Sequence, residues 1–157
     1  MPVLHQGNGQ ASDEEVEVIH ELIKQLLGVG YVSDRGEVEG EITLNDILIV
    51  TPYNLQVGKL RDCLGEDARI GTVDKFQGQE APVVIVSMCA STTDDAPRGI
   101  EFLLNRNRLN VAVSRAQCLA IVVASPALAT ASCSTLEQMA QVNLFCKLLD
   151  VANPTEA

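Results

Sequence analysis

The sequence predicts a three-layer α/β domain in which a mostly parallel sheet carries helices on both faces. Apolar residues make up 46% of the 157 residues, which is enough to bury a core of ordinary size. Four short apolar runs indicate strands that are covered on both sides. Segments with a helical spacing of apolar residues separate these runs, which favours parallel β-α-β connections. We expect one domain over residues 1–152 and a disordered tail over 153–157.

The first expected element is an amphipathic helix over Ser12–Leu27. Ser12 can cap its N-terminus, and Glu15 stands where it can complete a capping box. Apolar residues then recur with helical spacing until Gly28 ends the helix. The polar and acidic segment Tyr31–Asn45 is predicted to be a loop.

The remaining elements alternate along the chain. Buried strands are predicted at Ile47–Val50, Arg69–Val73, Pro82–Met88 and Cys118–Ala124. Helices are predicted at Leu55–Leu64, Ile100–Arg115 and Leu136–Leu149. Because open parallel sheets bind ligands beyond the carboxyl ends of their strands, we expect the functional loops to follow these four strands.

Composition and charge exclude several classes of protein. Aromatic residues are only 3% of the chain, too few for a platform on which single-stranded bases stack. The net charge of −10 excludes a domain coated in nucleic acid. Residues 1–50 carry ten acids and two bases (−8), whereas residues 51–157 carry eleven acids and nine bases (−2). A local basic site in the second part is therefore compatible with the overall acidity.

Cysteine usage and hydropathy favour the cytoplasm. The five cysteines are scattered, no two form a CxxC pair, and only two histidines are present. This pattern predicts no disulfide framework and no metal site. No apolar run reaches the roughly 18 residues that a membrane span requires, so we expect no membrane partner.

The common phosphate-binding devices are missing from the sequence. There is no GxxxxGK[ST] motif, and no predicted strand ends in a carboxylate suited to hold Mg²⁺. Gly7-Asn8-Gly9 is a lone GxG followed by an acidic helix start, where a pyrophosphate would be repelled. We therefore expect the chain alone not to hydrolyse a nucleoside triphosphate.

Two polar segments exceed what simple connections need. Gly71–Glu80 is crowded with hydroxyl, amide and charged side chains, which suit a surface that binds phosphate and sugar hydroxyls. In Arg106–Ala116 the apolar residues can pack a helix while Arg108 and Arg115 project toward a partner. Residues 97–117 carry four arginines and one acid, a local +3. A solvated helix face would also explain these arginines.

These segments resemble a known family. Gly71–Glu80 resembles motif V, and Leu109–Ala116 resembles motif VI, of superfamily 1 helicases. Ile49–Gln56 is similar to the family's strand-to-helix turn ahead of motif V. The resemblance is closest to the branch of nonsense-mediated-decay and replication helicase–nucleases, and within it to bacterial RecB-like nuclease–helicase fusions. It implies the second RecA-like (P-loop NTPase-like) domain of an ATP-dependent helicase.

The resemblance implies a nucleotide site shared between two domains. ATP would lie in the cleft, and the first RecA-like domain would supply the P-loop and hold Mg²⁺, so this chain alone would bind neither. Arg115 corresponds to the arginine finger of motif VI. Glu80 corresponds to the glutamate that contacts the nucleotide sugar, with Gly78 allowing close approach and Gln77 coupling the nucleotide to the cleft. Arg108 would be either a second phosphate contact or a brace for the helix.

The resemblance also implies nucleic acid as a partner. Thr72 and Thr51 correspond to positions that face the nucleic-acid backbone, and we expect DNA rather than RNA. A nuclease domain in the same chain is a further expected partner. The family's adenine-stacking Tyr-Arg pair does not occur in this sequence, so we expect the chain to begin downstream of it.

Two other functions are alternatives to a motor domain. A non-enzymatic interaction module would keep the fold and use the acidic N-terminal part as a docking surface. A small-molecule α/β enzyme would need a nucleophile and a base at a strand end, but Ser87 and Ser125 have no histidine near them in sequence.

Overall fold

A computed structural model of the protein describes residues 1–32, 38–76 and 78–152. The predicted tail, 153–157, lies outside the described residues. The strands are β1 (Gly30–Val32), β2 (Val38–Glu41), β3 (Ile47–Val50), β4 (Arg69–Gly71), β5 (Ala81–Ser87) and β6 (Ala116–Val123). The helices are α1 (Asp13–Leu26), α2 (Asn54–Leu64), α3 (Gly99–Leu103), α4 (Arg106–Val113) and α5 (Leu136–Ala152).

The central sheet has four parallel strands in the order β4-β3-β5-β6. Successive residues of a strand point to opposite faces, so each buried strand feeds two cores. Ile47 and Ile49 pack with residues of α1 and α2, whereas Leu48 and Val50 pack with residues of α3, α4 and α5. The predicted three-layer α/β architecture is confirmed.

Helix α1 begins as predicted but does not form the predicted capping box. The Ser12 hydroxyl accepts a hydrogen bond from the Glu15 backbone N–H at 3.1 Å. The Glu15 carboxylate does not reach back to Ser12, whose N–H is instead bound by the side-chain oxygen of Gln56 at 2.8 Å. Glu15 is fully buried and bonds to groups at the end of β5. Gln56, which is distant in sequence, therefore takes the place of Glu15 as the acceptor for the Ser12 N–H.

Three predicted boundaries differ from the structure. The predicted loop Tyr31–Asn45 contains the antiparallel pair β1–β2, which its polar sequence did not indicate. β4 ends at Gly71, and Val73–Phe76 forms a 3-10 turn. The single helix predicted over Ile100–Arg115 is two, because the Asn105 side chain caps the start of α4.

The prediction that Cys118–Ala124 is a buried strand is wrong for most of its length. Strand β6 lies at the edge of the sheet, and Cys118, Leu119 and Ala120 are exposed. The N-terminal segment pairs with the end of this strand, where the Val3 N–H donates to the Ala124 carbonyl at 3.0 Å. An apolar run looks the same at the centre and at the edge of a sheet.

Candidate nucleotide and nucleic-acid site

Two predicted site residues lie at the carboxyl edge of the sheet, which we define as the segments that follow β3, β4 and β5. Val50 of β3 pairs with Gly71 of β4 in the parallel register. Thr51 and Thr72 each follow one of these residues, so they lie side by side. Their position agrees with the general preference for ligands at carboxyl ends.

Of these two threonines, only Thr72 is accessible to solvent. Thr51 is fully buried, its N–H donates to the Gly71 carbonyl at 3.1 Å, and its hydroxyl lies 3.9 Å from the Cys89 sulfur. Thr72 is partly exposed. A ligand at this edge can touch Thr72 directly, whereas Thr51 can act on it only through the packing beneath.

Three other predicted residues, Gly78, Glu80 and Arg115, lie at the amino edge, which we define as the residues that come just before β5 and β6. Ala81 pairs with Ala116 at the start of these strands, so Glu80 and Arg115 are neighbours. The chain reaches this edge because consecutive parallel strands run the same way. The segment after β4 must return along the sheet before β5 can begin. Gly78, Glu80 and Arg115 therefore lie away from the carboxyl ends of the strands, and their functional role stays a prediction of the resemblance.

The amino edge is open to solvent. Gly78 has a φ of 80°, in the left-handed region that favours glycine, and a Cβ there would meet nothing within 4 Å. Glu80 is exposed, and its carboxylate accepts a long 3.5 Å hydrogen bond from the Gln117 side chain on β6. Gln77 lies outside the described residues. This edge can accept a polar ligand without displacing protein groups.

A groove between the 3-10 turn and α4 joins the two arginines singled out by the sequence. Arg108, Val111 and Arg115 line it together with Asp74. Arg108 belongs to α4, Arg115 follows the end of that helix by two residues, and both side chains line this groove. An anion in this groove would meet two guanidinium groups.

The backbone of Arg115 is held in place, whereas its Nε has no hydrogen-bond partner in the described part of the chain. Its carbonyl accepts a hydrogen bond from the Ala81 N–H at 3.1 Å, which fixes it at the start of β6. Its Nε is buried and has no hydrogen-bond partner among the described residues. A buried donor without a partner costs about 1–3 kcal/mol, so this Nε is a point of stored cost in the fold.

Arg108 has the contacts of a brace. Its guanidinium lies 3.6 Å from the Asp74 carboxylate and 4.3 Å from the centre of the Phe102 ring. These contacts join α4 to the 3-10 turn and to α3. They support the bracing alternative, and leave the phosphate-contact alternative as a prediction.

Gly71 marks the close approach of the 3-10 turn to β4. A Cβ at this position would lie 2.5 Å from Lys75 Cδ and 3.0 Å from the ring of Phe76. The Lys75 ammonium donates to the Ile70 carbonyl at 3.0 Å, so its side chain folds back over the strand. The start of the motif V segment is therefore tightly packed, unlike its exposed end at Glu80.

A buried polar cluster underlies the carboxyl edge; we call it the Glu15 cluster (His5, Glu15, Gln56, Ser87 and Cys89). The Glu15 carboxylate accepts hydrogen bonds from the Ser87 hydroxyl at 2.6 Å and the Cys89 N–H at 3.0 Å. His5 Nε2 lies 3.1 Å from its other oxygen. Gln56 donates to the Ser87 hydroxyl at 3.0 Å. The cluster ties α1 and α2 to the end of β5.

Cys89 shows how firmly this cluster holds the chain. Its φ of 53° lies in the left-handed region, which is unfavourable for a residue with a side chain. The hydrogen bond from its N–H to Glu15 fixes that conformation. Burial, and secondarily the Glu15 carboxylate, raise the pKa of the Cys89 thiol far above its ordinary value.

The described part of the chain holds no candidate cation site and no candidate membrane helix. Among the described residues, no three His, Cys, Asp or Glu side chains cluster in a way that could hold a metal ion. Over the same residues, no helix has the length and apolar content to cross a bilayer.

The family model AAA_12, described as an AAA domain, matches residues 4–127. The chain belongs to this AAA domain family. The match covers β3, β4, β5, β6 and both segments that form the groove.

The curated relatives of this AAA domain are helicases by name. "Putative helicase mov-10-B.1" of Danio rerio is 35% identical over 127 residues, which are 71% of this chain and 12% of the relative. The human "RNA helicase Mov10l1" is 38% identical over 96 residues, 57% of this chain and 8% of the relative. The Schizosaccharomyces pombe "DNA polymerase alpha-associated DNA helicase A" is 40% identical over 83 residues, 51% of this chain and 12% of the relative.

The comparisons support a superfamily 1 helicase domain. They do not support the narrower resemblance to RecB-like nuclease–helicase fusions, because the similar proteins carry helicase names without a nuclease. The chain spans only about a tenth of the length of these relatives (12%, 8% and 12%).

Sequence reasoning missed three features of the AAA domain. It did not find the Glu15 cluster, whose members are scattered over 85 positions, from His5 to Cys89. It did not pair Asp74 with Arg108, and it gave Phe102 no role. Phe102 could have been found from composition alone, since it is one of only three phenylalanines in the chain.

Proposed function

We propose that this AAA domain is the second motor domain of an ATP-dependent helicase, and that Arg115 contacts the γ-phosphate of ATP bound against a first, P-loop domain. The observation that carries the proposal is the half-buried Arg115, whose Nε has no partner among the described residues and whose side chain lines a groove together with Arg108. A guanidinium offers a fixed fork of donors to a phosphate and neutralises the charge that develops during transfer.

The amino edge fits a nucleotide beside Arg115. Glu80 is exposed just before β5, next to Arg115, and can accept hydrogen bonds from sugar hydroxyls. Gly78 leaves open space above its backbone. Mg²⁺, when present, would neutralise phosphate charge from the first domain. In this proposal, the role of this domain is to position the nucleotide sugar and to place Arg115 near the phosphates.

Nucleic acid is assigned to the carboxyl edge, where Thr72 is partly exposed. A hydroxyl or backbone group there would contact phosphate without reading bases. The Mov10l1 relative is named an RNA helicase and the yeast relative a DNA helicase. The expectation of DNA rather than RNA therefore has no support from the relatives, and we propose single-stranded RNA as the first substrate class to test.

The decisive experiment removes Arg115 and compares it with a neighbouring arginine. In the protein that carries both motor domains, Arg115→Ala should lower nucleic-acid-stimulated ATP turnover by about 1,000-fold or more, as for other arginine fingers. Arg106→Ala is the matched control, because Arg106 is exposed on α4 and lines a different groove, toward α5. It should leave turnover unchanged.

Two results would overturn the assignment. Turnover that survives Arg115→Ala would remove Arg115 from the active site. Robust ATP hydrolysis by the 157-residue chain alone would contradict a site shared with a second domain. Nucleic-acid binding should persist in Arg115→Ala, because Arg115 lies at the amino edge and Thr72 at the carboxyl edge.

The alternative of a non-enzymatic docking module has less support. Its acidic surface would include the start of α1, but the acids there already have partners. Asp13 pairs with Lys59 at 2.5 Å, and Glu14 accepts hydrogen bonds from Ser12 and Asn8. The backbone N–H of Glu14 first, and then the Ser12 and Asn8 side chains, lower the pKa of Glu14, and so favour its charged form without any binding partner.

A further inference from the structure

The ring of Phe102 carries two guanidinium groups. The central carbon of Arg98 lies 3.7 Å from the ring centre, and that of Arg108 lies 4.3 Å from it. Tyr53 packs against the same ring, with 5.4 Å between ring centres. Burial of Tyr53 and the attachment of Phe102 to α3 fix the ring in place. Cation–π contacts of this kind contribute about 0.5–2 kcal/mol each.

The two arginines differ in what they do with their N–H groups. Arg108 is half-buried and forms the ion pair with Asp74. Arg98 is exposed, and no ion pair of its guanidinium is found within the described part of the chain. Stacking uses the flat face of a guanidinium and leaves its N–H edge free. Arg98 is therefore an oriented donor without an acceptor.

The acidic side chains near Arg98 do not act as acceptors for its guanidinium. Asp94 and Glu101 line the same groove as Arg98, but neither lies within ion-pair distance of it. Glu101 accepts a hydrogen bond from Gln138 at 3.3 Å, and Asp95 accepts one from Thr92 at 2.7 Å. The guanidinium remains available to an anion from outside.

Arg98 belongs to the carboxyl edge. It stands at the end of the segment that follows β5, and its stacking partner Phe102 lines a cleft together with Thr72 and Arg108. A strand of nucleic acid that passes Thr72 would therefore run close to Arg98.

We propose that Arg98, held flat on Phe102, binds a backbone phosphate of single-stranded nucleic acid at the carboxyl edge. The proposal rests on the proposed function and names a contact that the motif V and motif VI segments do not include. Phe102 is a positioning residue, because its ring packs against Arg98, Arg108 and Tyr53. The contact carries no sequence preference, since it recognises phosphate.

The test measures binding of a short fluorescent single-stranded RNA to the 157-residue chain at several salt concentrations. Arg98→Ala should raise the Kd about tenfold and reduce the slope of log K against log salt by about 0.7, the value for one lost phosphate contact. Arg98→Lys should restore the slope but only part of the affinity, because lysine keeps the charge and loses the fork. Arg106→Ala, which removes an exposed arginine from α4, should change neither quantity.

Phe102→Leu separates positioning from charge. It should raise the Kd about threefold with the salt slope unchanged, because all cations remain while one stacking surface is lost. If this variant unfolds, as judged by circular dichroism, the exposed Arg98→Lys variant still decides the proposal.

Three outcomes would overturn the proposal. The first is an Arg98→Ala salt slope equal to that of Arg106→Ala. The second is full affinity in Arg98→Lys, which would indicate a diffuse charge effect. The third is displacement of the RNA by ATP at constant ionic strength, which would assign Arg98 to the nucleotide. If the oligonucleotide binds and Arg115→Ala abolishes turnover while Arg98→Ala is silent, only this inference fails; absence of any binding would also remove the nucleic-acid part of the proposed function.

Discussion

The two edges of the sheet are built in opposite ways. At the carboxyl edge, a fully buried carboxylate and its hydrogen-bond donors hold the ends of β3 and β5, and Thr51 is sealed beneath the surface. At the amino edge, Gly78 and Glu80 are exposed and have few contacts with the rest of the domain. A rigid edge suits a surface along which a nucleic-acid strand would move in defined steps. An open edge suits half of a site that a second domain completes.

The largest expected change in stability comes from replacing the buried Glu15 carboxylate at the carboxyl edge, and the exposed Glu80 at the amino edge is its control. Glu15→Gln should lower the free energy of unfolding by about 3 kcal/mol, because one amide N–H₂ must then face groups that need an acceptor. Glu80→Gln makes the same chemical change at the exposed amino edge and should cost less than about 0.5 kcal/mol. Urea unfolding followed by circular dichroism measures both.

Equal losses in these two variants would break the comparison. A small loss in Glu15→Gln would mean that the buried cluster tolerates a neutral partner, and that the carboxyl edge is held by packing alone. Glu15→Ala then provides a second measure, since it removes all hydrogen bonds to Ser87 and Cys89 together.

The next largest expected loss of stability comes from replacing two glycines by alanine. Gly71→Ala should destabilise the protein by about 2 kcal/mol, because its Cβ would overlap Lys75 and press on the buried ring of Phe76. Gly78→Ala should cost about 1 kcal/mol for a different reason: space is open there, but φ is 80°. Gly78→Asn should recover part of that loss, since asparagine tolerates the left-handed region, whereas Gly71→Asn should be worse than Gly71→Ala.

These variants also show what the sequence could and could not predict. Buried strands such as β5 and the helix α1 follow from local periodicity, and both were placed to within one residue at their well-marked ends. The motif V and motif VI segments were found because each is contiguous. Glu15 was assigned to a local capping box, since neither Ser87 nor Cys89 is near it in sequence. The exposure of β6 depends on which strand stands at the edge, and that order is a property of the whole sheet.

The smallest expected effect concerns cysteine chemistry at the two edges. Cys89 lies buried in the carboxyl edge and Cys118 lies exposed on β6, close to the amino edge. With a thiol reagent at pH 8, Cys118 and the exposed Cys63 should react in the folded protein, whereas Cys89 should react only as fast as the fold opens. Mass spectrometry of labelled peptides distinguishes the sites.

The raised pKa of Cys89 fixes the sign of a pH effect. The folded protein keeps the thiol protonated, while the unfolded chain ionises it above about pH 8.5. The contribution of Cys89 to stability is therefore complete below that pH and falls as the pH rises further, because the unfolded state then binds fewer protons. Cys89→Ala should remove this part of the alkaline loss of stability, whereas Cys118→Ala should not. An identical alkaline profile in the two variants would mean that the carboxyl edge does not exclude solvent from Cys89.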